Sequence, residues 1–208
     1  RGAAGRWRTY RLASPGRNGR GEFFRWDPIE DPTEQILLPL AVGAEAFVGH
    51  STGSCVESLL PALAQSSCGR ITGHAEGTTL LATFDDRGRF VDWVTLPVRV
   101  PTGFTLHRRP HGADGLASGS HLVVPFGEWG DLVLELQDFG TPLMGRTVWD
   151  ATVTPEGALN VEGYGRYVRV DCLRTGTAEL TIHDSISGGT PVLTVECLNP
   201  PREGGEGP

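Results

Sequence analysis

The feature that most constrains the fold of this chain is an internal repeat at an offset of 99 residues. Residues 77–85 line up without a gap on residues 176–184. The same offset relates two flanking segments to later ones: 69–72 to 168–171, and 93–98 to 192–197. Solenoid repeats have periods of roughly 20–50 residues, whereas a β-sandwich module has about 100. The repeat therefore predicts two consecutive modules of one kind.

A second, shorter sequence similarity, which we call the shorter echo, lies at the start of each unit, where residues 37–48 resemble residues 123–134. The two echoes occur in the same order in both halves of the chain. We therefore expect a linker or the end of a preceding module, then two sandwich modules, then a flexible tail. The predicted limits are 1–33, 34–100, 101–199 and 200–208.

The local pattern of the repeat is that of β-strands separated by turns. Leu132, Leu134 and Leu136 alternate with polar residues or valine, which places them on one face of a strand. Three further segments alternate in the same way, and each is expected to bury every second residue: 167–172, 178–183 and 192–197. Turn residues lie between such strands at 85–88, 138–142, 154–157 and 187–189. The one helix-like run, 56–60, stops at Pro61 and is interpreted as a strand-to-loop corner.

Several short motifs within the units resemble those of one known family. In the first unit, residues 69–80 match the pattern G-x-I-T-G-x-A-x-G-T-x-x. In the second unit, residues 140–143, 148–150 and 176–178 match a G-x-P-L turn, a tryptophan strand and a G-T-A strand entry. This pattern resembles the bacterial Ig-like group 2 modules of invasin- and intimin-type adhesins. Such modules also occur in the lumenal region of the large nuclear-pore membrane glycoprotein.

The resemblance implies an all-β fold of tandem immunoglobulin-like β-sandwich modules. It also implies structural or adhesive modules of a larger exported or lumenal protein, such as a cell-surface stalk or a nuclear-pore lumenal component. Such a chain would act by contact with a protein partner or with neighbouring Ig-like modules. It would belong to a membrane-anchored protein at the cell surface or in the lumen of the endoplasmic reticulum and nuclear envelope.

The four cysteines, Cys55, Cys68, Cys172 and Cys197, allow two disulfides in three connectivities. One pair falls in each predicted module, which favours Cys55–Cys68 and Cys172–Cys197. Four buried free thiols are the alternative. Disulfides would indicate an oxidising compartment.

The charge and hydropathy patterns exclude two kinds of partner. The chain has a formal net charge of -7, whereas nucleic-acid-binding domains need a basic surface. No apolar run approaches the roughly 18 residues of a membrane span, so we expect no direct membrane insertion by this segment.

The sequence contains no pattern typical of a catalytic or metal site, so we predict no enzyme activity, no cofactor and no metal. His107 and His111 are four apart, but Pro110 and Gly112 indicate a loop rather than a ligand-bearing helix. The run 50–54 has the composition of a nucleophile site without the G-x-S-x-G elbow. The run 85–88 is interpreted as a hairpin turn rather than a calcium loop.

Two tryptophans receive opposite predictions. Trp149 lies in an alternating strand and is expected in the core. Trp129 lies among glycines and acidic residues in a turn, where it is expected to be exposed beside Glu128 and Asp131. An exposed indole beside carboxylates can anchor a protein interface or stack on a sugar ring. We therefore take these three residues as the candidate binding site and a carbohydrate-binding β-sandwich, attached to a glycan-active protein, as the alternative function.

Overall fold

The computed structural model describes residues 22–27, 31–108 and 115–199. Across these residues all regular structure is β-strand. The described residues form no helix that is long and apolar enough to cross a membrane. The prediction of an all-β fold is confirmed.

Nineteen strands are described, and we number them in chain order. The first nine are β1 Phe23–Asp27, β2 Asp31–Ile36, β3 Leu40–Ala41, β4 Glu45–His50, β5 Cys55–Ser58, β6 Ala64–Ser67, β7 Arg70–Gly73, β8 Gly77–Phe84 and β9 Phe90–Arg99. The others are β10 Gly103–Arg108, β11 Gly115–Leu116, β12 His121–Pro125, β13 Trp129–Asp138, β14 Thr141–Pro142, β15 Trp149–Thr154, β16 Leu159–Glu162, β17 Tyr167–Cys172, β18 Gly176–Asp184 and β19 Val192–Leu198.

The chain divides into two compact units. The first comprises the described residues up to Gly103 together with Leu136–Thr147, and the second comprises Phe104–Glu135 and the described residues from Val148 onward. The predicted second module, 101–199, includes Leu136–Thr147 instead. The module boundary near Val100 stays a prediction.

The first unit is a sandwich of two sheets with strand orders β2-β1-β4-β7-β6 and β3-β9-β8-β5. Strand β3 runs parallel to β9, whereas the other described pairs in these sheets are antiparallel. Both sheets direct aliphatic side chains into one core because residues alternate between the two faces of a strand. The buried members include Val48, Ile71, Leu81 and Leu96.

The second unit repeats this architecture. Its sheets have the orders β11-β10-β13-β17-β16 and β12-β19-β18-β15, with β12 parallel to β19. The predicted inward residues are buried in all four alternating segments, as Leu132, Val170, Leu180 and Val195 illustrate. Tandem immunoglobulin-like β-sandwiches are therefore the fold of this chain.

The repeat in the sequence corresponds to strands in equivalent places of the two units. The segments at the 99-residue offset lie on β7, β8 and β9 in the first unit and on β17, β18 and β19 in the second. The shorter echo leads into β4 and β13, which occupy the same place in their sheets. The sequence repeat is thus a repeat of strand order.

Strands β1 and β2 lie within or beside the segment predicted to be a linker or the end of a preceding module. Phe24 of β1 is paired with Gly49 of β4 on one side and with Ile36 of β2 on the other. This part of the segment therefore belongs to a sheet of the first unit. The run from Phe23 to Asp27 was missed because it is short and does not alternate.

The predicted turns are present. Asp138 pairs with Thr141, and Phe139 and Gly140 between them have φ values of 45° and 80°. Two successive positive φ values match the two-residue hairpin turn that suits the twist of antiparallel strands. The run 56–60 is also a strand-to-loop corner, as predicted, because β5 ends at Ser58.

Two disulfides with the predicted pairing are present, Cys55–Cys68 and Cys172–Cys197. Cys172 ends β17 and Cys197 lies in β19, so their bond joins the two sheets of the second unit. Cys55 begins β5 and Cys68 follows β6, so the other bond joins an edge strand of each sheet in the first unit.

Candidate functional site

Trp129 is exposed because of the turn that precedes it. Strand β12 ends at Pro125, and the chain reverses through Gly127 with a φ of 87°. The backbone N–H of Glu128 donates to the carbonyl oxygen of Pro125 at 3.0 Å and closes this turn. Gly130, the next residue in β13, faces Leu122 and Val124 in the core, so Trp129 points outward. Its exposure is 59%.

Arg169 on the neighbouring strand covers part of the Trp129 ring. Asp131 and Arg169 are partners in the β13–β17 register. The guanidinium carbon of Arg169 lies 4.5 Å from the ring centroid, and its Nε donates to Asp131 Oδ1 at 3.1 Å. A cation above an indole face is attracted by the ring quadrupole. The three side chains therefore form one connected group on the outer face of the sheet.

A second row of polar side chains continues this group across the sheet. Asp171 lies opposite Trp129 in the register of β13 and β17. Asn160 of β16 lies opposite Asp171 and donates from Nδ2 to its Oδ2 at 3.4 Å. The face therefore carries an indole beside carboxylate, amide and guanidinium groups.

The structure brings together Trp129 and Asp131, two of the three predicted binding residues. Glu128 is exposed in the turn immediately before Trp129. The place of Arg169 over Trp129 was missed. The two residues are 40 positions apart, and only the β13–β17 pairing, which sequence alternation does not reveal, brings them together.

Three further exposed apolar residues belong to the same end of the second unit, where the Cys172–Cys197 disulfide is located. Leu173 and Leu198 directly follow the two bridged cysteines and are 53% and 42% exposed. Phe126 is also exposed, and its N–H donates to the carbonyl oxygen of Leu198 at 2.8 Å. We call Phe126, Trp129, Leu173 and Leu198 the apolar end of the second unit.

Trp149 differs from its prediction. It is partly buried rather than in the core, and every second residue after it in β15 is exposed. Its ring lies close to the backbone of Gly163, where an added Cβ would meet Trp149 Cζ2 at 2.8 Å. An edge strand covers only one side of such a ring, which explains the partial burial.

A buried histidine in the first unit was also missed. The His50 side chain is fully buried, and its Nδ1 accepts hydrogen bonds from the backbone N–H groups of Thr52 and Gly53 at 3.2 and 3.0 Å. Its Nε2 lies 3.7 Å from Asp92 Oδ2. Burial lowers the pKa of His50, and the Asp92 carboxylate opposes that shift. Neutral His50 therefore holds the turn after β4.

The hydroxyl groups near His50 are directed elsewhere. Ser51 Oγ accepts a hydrogen bond from the N–H of Glu22 at 2.9 Å, and Ser54 Oγ donates to the carbonyl oxygen of Phe84 at 3.3 Å. A serine nucleophile needs a hydrogen bond to its base. The described contacts of the run 50–54 are those of a structured turn.

The other polar sites considered in the sequence are also accounted for. His107 lies in β10, 3.5 Å from Glu135 Oε1, so the loop predicted for it is wrong, and His111 lies outside the described residues. Asp85 accepts hydrogen bonds from Arg87 and Arg89 in a hairpin turn. The Arg89 side-chain hydrogen bond lowers the pKa of Asp85. The described part of the chain contains no group of three or more His, Cys, Asp or Glu residues that could hold a metal ion.

The chain matches no protein-family model and no curated protein. It is similar to domains 4 and 5 of the S-layer protein SbsC, at 14% identity and a TM-score of 0.33, over 85% of this chain and 98% of that one.

It is also similar to fibronectin(III)-like modules of Clostridium thermocellum CbhA, at 15% identity and a TM-score of 0.29, over 89% and 99% of the two chains. A glycosyl hydrolase family 2 member from Bacteroides cellulosilyticus matches at 12% identity and a TM-score of 0.36. That match covers 85% of this chain and 28% of the hydrolase chain. These similarities concern the fold alone. The strand order of the chain itself is that of a pair of immunoglobulin-like β-sandwiches.

Proposed function

We propose that this chain is a structural or adhesive pair of Ig-like modules that acts through protein–protein contact. The observation that carries the proposal is the apolar end of the second unit, where the chain places four exposed large apolar residues at one end of the sandwich. Interfaces are centred on such residues, and tryptophan and arginine contribute most per residue. Trp129 with Arg169 above it supplies both residue types in one place.

The disulfides support a location outside the reducing cytosol. Both bonds lie within single units, where they stabilise the sandwich rather than link it to another chain. Disulfides persist in extracellular and lumenal compartments. We therefore propose a membrane-anchored parent protein, as a cell-surface stalk of the invasin and intimin kind or as a lumenal component of the nuclear pore. Neighbouring modules or a transmembrane helix in the parent protein would distinguish these two.

The test is a binding survey of the intact chain against secreted and cell-surface protein ectodomains. Trp129→Ser is expected to weaken any specific binding by about tenfold or more, as for a tryptophan at an interface centre. Leu59→Ser is the matched control, because Leu59 is 50% exposed and lies in the first unit. Equal effects of the two substitutions would show that the apolar end is not the contact surface.

The alternative is a carbohydrate-binding module attached to a glycan-active protein. It is favoured by the polar row beside Trp129, because Asp131, Asp171 and Asn160 offer hydrogen-bonding groups to sugar hydroxyls. Aromatic rings also stack on the apolar faces of sugar rings. A glycan array separates the two functions. Glycan binding that Trp129→Ser abolishes would replace the protein-contact proposal.

A further inference from the structure

On one side of each unit, here called the open side, both sheets end in an edge strand. In the first unit these strands are β5 and β6, and in the second they are β15 and β16. Edge strands expose unpaired backbone N–H and carbonyl groups to which another strand can add. The two open sides differ in the bonds that join their edge strands.

The open side of the first unit is closed by bonds between its two edges. The Cys55–Cys68 disulfide joins the start of β5 to the residue after β6. The N–H of Gly69 donates to the carbonyl oxygen of Val56 at 2.8 Å, and the N–H of Ser58 donates to Ser66 Oγ at 2.7 Å. An incoming strand would have to displace these contacts.

On the open side of the second unit, no disulfide or backbone hydrogen bond joins β15 to β16 among the described residues. Among the described residues, β15 pairs with β18 along its whole length, from Trp149 opposite Asp184 to Thr154 opposite Glu179. Thr152 Oγ1 is hydrogen-bonded to His183 Nε2, again on β18, and the Trp149 ring lies against Gly163, just after β16. The other backbone edge of β15 has no partner in the described part of the chain.

The sequence of β15 carries little protection against strand addition, since Asp150 is its one charged residue. Natural edge strands are protected by lysine, proline or a bulge. Strand β15 has the sequence WDATVT, with one acidic residue and no basic residue, and its pairing with β18 shows no register shift. It is therefore a straight, nearly neutral edge rich in β-branched residues.

We propose that β15 is a self-association edge, which pairs antiparallel with β15 of a second copy of this chain around a two-fold axis at Ala151. The four-stranded sheet that contains β15 would then continue into that of the second copy. This proposal does not depend on the apolar end of the second unit. A strand from a different protein is the competing occupant.

The register of this pairing follows from the side chains. With Ala151 opposite its own copy, Trp149 lies opposite Val153, and Asp150 lies opposite Thr152. Aromatic and β-branched residues are favourable cross-strand partners, and a hydroxyl is a good neighbour for a carboxylate. No carboxylate faces another, because the two Asp150 side chains are on opposite sides of the axis. The strand is thus complementary to itself.

Two substitutions at the exposed Thr152 give opposite predictions. Thr152→Asp would place a carboxylate opposite Asp150 twice per dimer, whereas Thr152→Lys would place an ammonium group there. By sedimentation equilibrium of the whole chain, we expect a wild-type dimer that Thr152→Asp weakens by about tenfold. Thr152→Lys should retain the dimer, because in this register the lysine, which would protect an unpaired edge, meets Asp150 of the second copy. Thr152→Lys is therefore the matched control for the effect of a charge at this position.

Three results would overturn the proposal. They are a chain that stays monomeric at about millimolar concentration, a dimer that Thr152→Asp does not affect, or equal weakening by both charges. Trp129→Ser should leave the dimer unchanged, so loss of the dimer in that variant would assign it to the apolar end instead.

Hydrogen exchange on the wild type supplies a measurement that needs no variant. The amides of Trp149, Ala151 and Val153, which alternate with those bonded to β18, should gain protection as concentration rises, while those of β5 should not. Strand addition by another protein would protect β15 only when that protein is present, which contradicts self-association.

Discussion

The two units share one strand order, but their sheets are held together differently at the same point of the repeat. In the second unit, Cys172 and Cys197 join β17 to β19 through the core. The residues 99 positions earlier are Gly73 and Val98. Gly73 exchanges backbone hydrogen bonds with Gly43 and Ala44, at 2.8 and 3.0 Å. At this point of the repeat, the first unit therefore has a close backbone contact and the second unit has a disulfide.

The difference shows which part of the sandwich a repeat must preserve. Buried aliphatic residues at alternate positions, such as Ile71 and Val170, occupy equivalent places in both units. The disulfides do not, since one crosses the core and the other joins edge strands. The strand pattern therefore specifies the fold. The disulfides add stability at a different place in each unit.

The largest effect should come from removing the core disulfide. Replacing Cys172 and Cys197 by alanine releases a loop constraint of 25 residues, which corresponds to about 3–4 kcal/mol of unfolding free energy. Hydrogen exchange should show the loss in the second unit alone. The paired Cys55→Ala and Cys68→Ala variant, with a separation of 13 residues, should lose about 0.5 kcal/mol less, and only in the first unit. A larger loss in the first unit would contradict the comparison.

Gly73→Ala should destabilise the first unit by about 1–3 kcal/mol, as overpacking does in a closely packed site. A Cβ at Gly73 would collide with the carbonyl oxygen of Ala41. Gly103→Ala is the control, because a Cβ there meets no atom within 4 Å. Denaturant unfolding should separate the two. Equal stability of both variants would show that the first unit does not depend on the close backbone contact at Gly73.

Some features of the two units were predictable from the sequence and others were not. The burial of Leu132, Leu134 and Leu136 was predictable because alternation depends only on neighbouring residues. The turn at Phe139 and Gly140 was predictable for the same reason.

Contacts between distant strands were not predictable in this way. Arg169 over Trp129 and His50 beside Asp92 depend on which strands pair and in what register. The partial burial of Trp149 depends on its strand being an edge, which a single sequence does not specify.

A smaller, pH-dependent effect should again distinguish the units. His50 is buried as the neutral form, with a pKa lowered from the ordinary 6.5. The unfolded chain therefore binds the proton more readily, so the stability of the first unit is complete above about pH 6.5 and falls as pH decreases toward the folded-state value. Thermal unfolding of wild type and His50→Asn from pH 7.5 to 5 checks this. A fall that persists in His50→Asn would assign it to another group.

The smallest effect should follow from Arg169→Ala. Loss of a partly exposed cation–π contact and of the ion pair with Asp131 should cost about 0.5–1 kcal/mol. Denaturant unfolding measures the cost, and the ion-pair part should decrease at high salt. A salt-independent loss would attribute the whole effect to packing on Trp129.

In each unit an early strand pairs parallel with the last strand, β3 with β9 and β12 with β19. This pairing determines how each unit resists a pulling force. When tension is applied to the ends of the chain, β12 and β19 are pulled in opposite directions along their length, so their hydrogen bonds are loaded together rather than one after another. Strand β12 has five residues in this pairing and β3 has two, so the second unit should yield at the higher force. Once these hydrogen bonds have broken, the Cys172–Cys197 bond carries the load, so the segment between the two cysteines cannot be extended.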